Sequence, residues 1–357
     1  MLLNPISMDD GDSGRYNRTN LLHRGLGVFE RHQPQPLSRV ILSPSGLVEL
    51  HEAECLEWLR DQPDRSFQAV VTDPPYGMLE YSASEVKKLR GGRGGVWRIP
   101  PSLGGHKRAP VPRFTVLDDR DINALYEFFR EWGAVLQPKL VPGAHVFVAT
   151  SPLFSHVVAQ ALVDASFEKR GEVVRLTQTL RGGDRPKNAE QEFIDVTVMP
   201  RSGWEPWVIM RKRCQGTVAQ NLREWKTGGL RRLKHGPFLD VILSSPTRPN
   251  ERRLAPHPSL KPQAFLRQIV RASLPLGEGL VLDPFAGSGS TLAACEALGY
   301  RGIGVEVDPE YVTLAQTAIP ALSQLPQPDV FGAELVAART SGQGRSRSLR
   351  AVKRRNV

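Results

Sequence analysis

Asp73-Pro74-Pro75-Tyr76, closed by Gly77, is the stretch from which the fold can be read. It follows an apolar run, Ala69-Val70-Val71, that predicts a short buried strand. Two successive prolines donate no backbone hydrogen bond and hold φ at about −65°, so the strand must stop there. An acid and an aromatic ring are left at a strand's carboxyl end, where open α/β sheets bind ligands. The pair suits a planar group carrying an exocyclic amine: the carboxylate and a freed carbonyl accept its two N–H bonds while the ring stacks on the flat face. Alone, the tetrapeptide also fits a strand that simply ends in an Asp-Pro turn.

Three later stretches bear on that choice. His257-Pro258-Ser259-Leu260-Lys261-Pro262 leads into helical spacing over Gln263 to Ser273, with Pro262 suited to the first turn. Gly279-Leu280-Val281-Leu282 predicts a strand that ends in Asp283-Pro284-Phe285-Ala286-Gly287-Ser288-Gly289-Ser290-Thr291, and a helix follows through Ala297. Glycines there let the backbone turn tightly and approach a ligand. It is not the dinucleotide pattern, since there is no third glycine and an acid precedes the turn. Gly302 to Val305 predicts the next strand and delivers Glu306, 23 positions after Asp283, near the offset at which an acid meets ribose hydroxyls.

Together these stretches resemble the amino-methylating DNA methyltransferases, which transfer a methyl group from S-adenosyl-L-methionine to adenine N6 or cytosine N4. The catalytic motif precedes the cofactor motif, an order that resembles the β group of those enzymes. The resemblance spans roughly residues 45–77 and 115–320. It implies a Rossmann-like methyltransferase sheet of α/β class, mostly parallel with one antiparallel strand, helices on both faces and a circularly permuted motif order. It also implies that Asp73, Pro74, Pro75 and Tyr76 are catalytic. Glu54, Lys261, Asp283, Phe285, Ala286, Gly287, Ser288, Gly289, Ser290, Thr291 and Glu306 would hold the cofactor. Lys261 would take its carboxylate and Asp283 its ammonium end. Ala53-Glu54-Cys55 stands where the family has Gly-Asp-Cys, so Glu54 would accept the adenine amine; an exposed acid at a helix start is the plainer reading.

Composition agrees with such a partner. The chain has 357 residues, is 40% hydrophobic and carries a net charge of +10, which supports a sizeable core and favours a polyanion. Cys55, Cys214 and Cys295 lie far apart without metal-ligand spacing, and Cys55 and Cys295 fall in apolar helical patterns, so buried free thiols are expected and no metal. No apolar run approaches the roughly 20 residues of a membrane span, and the polar start lacks a signal layout, so a cytoplasmic protein without membrane contact is expected.

Residues 1–38 read as a disordered arm, 39–213 as the catalytic half of the methyltransferase domain, and 257–322 as its cofactor-binding half. A basic tail, 323–357, reads as disordered. Within the catalytic half a Gly-rich basic stretch, 78–112, predicts a loop leaving the diproline corner. Lys87, Lys88, Arg90, Arg93 and Arg98 could pair with phosphates there, and Trp97 could stack on a base. Residues 214–256, polar, basic and weakly periodic, read as a target-recognition insertion with Arg231 and Arg232 among the DNA contacts, or as a purely structural one. Helical spacing is expected over 118–139 and 153–165. Pro142-Gly143 is expected to turn the chain into a strand over 144–149, and further strands are expected over 172–178, 195–199 and 206–211, the last two as an antiparallel pair.

The expected activity is methylation of a flipped base in double-stranded DNA, with Tyr76 stacking on it. Asp in the first motif position resembles the adenine enzymes more than the cytosine N4 ones, and that resemblance implies adenine as the target. A methyltransferase of RNA or protein amines, and a DNA-binding subunit without turnover, stay open as alternatives. The sequence does not decide between monomer and homodimer, nor whether a cognate restriction endonuclease accompanies the chain.

Overall fold

The computed structural model describes residues 40–74, 119–177, 203–257 and 260–326 apart from position 44, with short pieces between 102 and 200. Among these, nine strands form one sheet: β1 (Val40–Leu42), β2 (Val48–Glu52), β3 (Phe67–Thr72), β6 (Leu140–Ala149), β7 (Glu168–Leu176), β8 (Trp204–Arg211), β9 (Val241–Leu243), β10 (Leu280–Asp283) and β11 (Arg301–Glu306). Their order across the sheet is β1-β2-β11-β10-β3-β6-β8-β7-β9. From β2 to β6 every pair is parallel, whereas β8 runs against both β6 and β7, and β1 against β2. This is the expected mostly parallel sheet, with a second reversed strand added at one edge.

Alternation along the central strands explains why both faces are covered. Val70, Val146, Val148 and Leu282 point to one side, into a cluster with Leu59, Phe129, Trp132 and Leu162. Ala69, Val71, Phe147 and Val281 point to the other, against Phe265, Ile269, Leu292 and Ile319. The period of two thus feeds two separate cores. Helices α1 (Cys55–Asp61), α2 (Asp119–Lys139) and α3 (Ser155–Asp164) close the first, and α6 (Gln263–Ser273), α7 (Ser290–Leu298) and α8 (Pro309–Ser323) close the second. Each fully buried Leu, Ile or Phe contributes roughly 1.5–3 kcal/mol. Cys55 and Cys295 are buried free thiols, as expected. No helix among the described residues is long and apolar enough to cross a membrane.

Three expectations change. Pro142-Gly143 does not turn the chain into a strand; β6 starts at Leu140, and all ten of its residues are buried. Gly143, at φ +80°, instead sits in an irregularity where the partner of β3 jumps from Leu140 to His145. Glycine absorbs the extra residues, and the strand continues on both sides. Among the described residues 195–198 the expected strand is absent: 195 is in a turn, and Val196 and Val198 are exposed. The place beside β8 is taken by β7, which spans nine residues and buries Val173. Most of the basic stretch 78–112 lies outside the described residues, but β4 (Ser102–Leu103) and β5 (His106–Lys107) pair antiparallel within it.

The turn after β10 shows how tightly the chain is fitted. Gly289 has φ +80°, and a Cβ on it would lie 2.7 Å from Ile319 Cδ1. Gly289→Ala therefore combines left-handed strain with overpacking, and should lower stability by about 2 kcal/mol. A urea titration that shows a lower midpoint with unchanged slope checks this.

Candidate active site

Registry decides which chemical groups meet. Val281 pairs with Ala69 and Leu282 with Val70 in parallel, so β3 and β10 deliver Asp73 and Asp283 to the same edge of the sheet. Thr72 Oγ1 donates to Asp283 Oδ1 at 2.7 Å, joining residues 211 positions apart in the chain. The Phe285 amide donates to the same oxygen at 3.2 Å, and the Thr291 hydroxyl also supports the carboxylate. Asp283 is only 3% exposed, and no cation among the described residues pairs with it. Burial pushes its carboxyl up to about 6, against the hydrogen bonds from Thr72 and Thr291.

The glycine turn packs against the end of β11. Ala286 donates its amide to Val305 O at 2.9 Å, and Gly287 donates to Glu306 Oε2 at 2.7 Å. Glu306 Oε1 accepts from the Asp308 amide at 2.9 Å, and burial raises the carboxyl above its usual range. Gly287, at φ +51°, lies under His257, whose Nε2 a Cβ there would approach at 3.2 Å. The His257 ring packs edge-on against Tyr311, and burial lowers its pKa to about 4, so it is neutral. Ser288 and Thr291 are buried, and the Ser290 carbonyl accepts from Gln263 Nε2 at 2.8 Å. The Phe285 ring turns away from the turn and packs on Phe128 and Trp132. Glu54 sits near the same edge, since the Ala53 amide donates to Glu306 O at 3.0 Å; its carboxylate caps α1, accepting from the Glu57 amide at 2.8 Å.

Asp73 follows β3, with Pro74 buried behind it. Lys261 Nζ donates to Asp73 Oδ2 at 2.6 Å and lies 3.7 Å from Glu205 Oε2. Arg175 also reaches Glu205 Oε2, at 3.2 Å, and Trp207 Nε1 donates to Glu205 Oε1 at 2.8 Å. Asp73 Oδ1 is buried and has no hydrogen-bond partner among the described residues. Burial raises the Asp73 carboxyl, with Lys261 opposing. For Lys261 burial works downward, but Asp73 and Glu205 outweigh it and the ammonium is held charged. For Glu205, burial works upward, yet Lys261 and Arg175 win and the carboxyl stays below its usual range. Pro262 stands one residue earlier than expected, as the extended N-cap immediately before α6 rather than in its first turn.

Arg175, Glu205, Thr72 and Trp207 were not singled out by the sequence. The available signal was weak: Arg175 and Glu205 are charges inside short, otherwise apolar stretches, Val173-Val174-Arg175-Leu176 and Trp204 to Met210. A buried charge demands a partner, but periodicity does not say which. Pro75, Tyr76, Lys87, Lys88, Arg90, Arg93, Trp97 and Arg98 lie outside the described residues. Arg231 is not near Asp73. Its guanidinium meets Tyr300 Oη and Gly277, just before β11 and β10, at the amino-terminal edge of the parallel strands. Arg232 lends its carbonyl to Arg271 nearby. The insertion 214–256 is thus divided. Helix α4 (Val218–Trp225) is tied to the start of β6 through Asn221 Nδ2, which donates to Pro142 O at 2.9 Å, and only the part after β9 approaches the carboxyl edge.

Residues 67–317 match the family model described as "DNA methylase". The chain belongs to that family. Among curated relatives of the DNA methylase, Type II methyltransferase M2.DpnII of Streptococcus pneumoniae is 38% identical over 82 residues, covering 23% of this chain and 30% of that one. DNA adenine methyltransferase YhdJ of Escherichia coli (strain K12) is 47% identical over 58 residues, covering 16% and 19%. The chain thus matches less than a third of the length of these relatives. Among solved structures, the PvuII DNA methyltransferase (cytosine-N4-specific) aligns with TM-score 0.50 and 14% identity over 81% of this chain and 91% of that one, a likeness of fold.

Proposed function

We propose that this DNA methylase transfers a methyl group from S-adenosyl-L-methionine to an exocyclic amine of a base in double-stranded DNA, most favourably adenine N6. One observation carries the reading: the Thr72–Asp283 hydrogen bond of 2.7 Å, which makes the diproline corner and the glycine turn neighbours around a single edge. Asp283, buried with no paired cation among the described residues, fits the ammonium end of the cofactor, and the turn at Gly287 leaves backbone close at hand for the rest. Glu306, at the end of the next strand, fits ribose hydroxyls. When bound, the sulfonium supplies an already activated methyl group.

The chain's own residues do the positioning. An exocyclic amine is a poor nucleophile because its lone pair is delocalised into the ring. Asp73 Oδ1 and the Pro74 carbonyl accept its two N–H bonds, which favours a tetrahedral nitrogen and directs the lone pair. Methyl transfer to that nitrogen would leave the C–S electron pair on sulfur. The nitrogen becomes cationic and passes a proton to Asp73, from which it reaches solvent. No covalent enzyme intermediate is required.

Asp at position 73 and the likeness to a relative named an adenine methyltransferase favour adenine. Modified-base sequencing of DNA from cells that express the chain should show N6-methyladenine at one short sequence. N4-methylcytosine there would move the target base, and methyl uptake confined to RNA or protein fractions would overturn the DNA substrate.

A further inference from the structure

Lys261 is the residue whose expected role, holding a cofactor carboxylate, fits the geometry least. Its side chain is 9% exposed, and its ammonium lies 2.6 Å from Asp73 and 3.7 Å from Glu205. Glu205 is in turn fixed by Trp207 Nε1 and by Arg175 Nη1. Arg175 is fixed as well: its Nε donates to Ser244 Oγ at 2.9 Å, its Nη2 to Ser245 O at 3.3 Å, and it stacks over Phe265. The cluster holds two cations and two carboxylates in the interior, drawn from four parts of the chain. A charge that costs so much to bury is retained either for packing or for a task.

We propose that Lys261 is a positioning residue for Asp73: braced by Glu205 and Arg175, it clamps Oδ2 and leaves Oδ1 as the acceptor for the target amine. The inference rests on the reading above that the chain methylates an amine. Three features support it. The short Lys261 contact uses one carboxylate oxygen only, and the other is buried with no partner among the described residues. Carboxylate rotation, which would cost reach to the amine, is suppressed by a cation that is itself held on its far side. The charged groups facing Asp73 are Lys261, Glu205 and Arg175, with Asp283 beyond them, so removing a cation or an anion from this set should act on Asp73 with opposite signs. The bracing arm ends at Ser244 and Ser245, which links the acceptor to the segment just after β9.

Opposite signs give the test. In wild-type protein, kcat for methyl transfer to duplex DNA should fall below a single acid limb as Asp73 protonates. Lys261→Met should lower kcat about tenfold or more and move that limb up by about one pH unit, since Asp73 loses its counter-charge. Cofactor KM should change less than about threefold. Lys261→Arg, which keeps the charge, should restore most of the turnover. Glu205→Gln should move the limb down instead, because it removes a like charge from Asp73. If Lys261→Met raises cofactor KM tenfold with the limb unmoved, Lys261 holds the cofactor and the proposal falls. If the Glu205 and Lys261 variants shift the limb in the same direction, the proposal also falls. Where Lys261→Met does not fold, the Lys261→Arg and Glu205→Gln profiles decide by themselves. A wild-type chain that methylates no nucleic acid refutes the underlying reading instead, which is a separate result.

Discussion

Asp73→Ala should lower kcat for methyl transfer about a thousandfold, with cofactor and duplex DNA affinities within about threefold of wild type. The size follows from what is lost: the acceptor that aims the amine and the site that takes its proton. The control lies in the cluster, because alanine strips Lys261 of its 2.6 Å partner and leaves Glu205 at 3.7 Å. Breaking a buried pair from one side costs about 3–5 kcal/mol of stability, so lost turnover could be mistaken for unfolding. Asp73→Asn keeps the shape and one acceptor oxygen, and should fold better while remaining at least about a hundredfold slow. Single-turnover methylation at saturating DNA, with melting temperatures alongside, separates the two. Alanine retaining more than a tenth of wild-type turnover in a folded protein would remove Asp73 from the chemistry.

Asp283→Asn is expected to move stability and cofactor affinity in opposite directions. Burial raises this carboxyl from 3.8 to about 6 in the folded protein. The folded state therefore binds the proton more tightly than the unfolded one, so without cofactor the group lowers stability as pH rises from about 4 to about 6, and the deficit persists above that window. Two pKa units correspond to roughly 3 kcal/mol at most. Asparagine removes the buried charge, so the ligand-free variant should melt several degrees higher than wild type at pH 8 and no differently at pH 4. Cofactor affinity should drop at least about tenfold at pH 8, since a charge-assisted bond to the ammonium end is lost. Wild-type affinity should itself weaken below about pH 6, where Asp283 takes up its proton, and the variant's should not. Calorimetric titration at pH 5 and 8 reads both. An affinity that is unchanged at both pH values would show that Asp283 does not meet the ammonium.

Much of the architecture was legible because its signals are local. The apolar run 67–72 stopped by two prolines, the strand before Asp283 and the helix over 263–273 need only period and breaker residues, and they stand where those signals put them. Gly143 misled for an instructive reason: a glycine after a proline marks a turn or a bulge equally well, and only the partner strand decides. Residues 195–199 misled because alternation shows that a strand could form, not that an edge is free to receive it. Arg231 and Arg232 were expected among the DNA contacts by charge, yet charge carries no address, and the fold places them at the amino-terminal edge of the parallel strands, away from Asp73 and Asp283.

From the chain alone came the family and the order of its motifs, because glycine, proline and carboxylate act through properties of single residues. Tertiary structure alone decided who meets whom. Sheet order puts β10 beside β3 and so brings Thr72 to Asp283. The burial of β7 and β8 residues puts Glu205 and Arg175 behind Lys261, and that turns a presumed cofactor ligand toward Asp73. A buried charge takes whichever opposite charge packing leaves within reach, and that distance is a property of the fold.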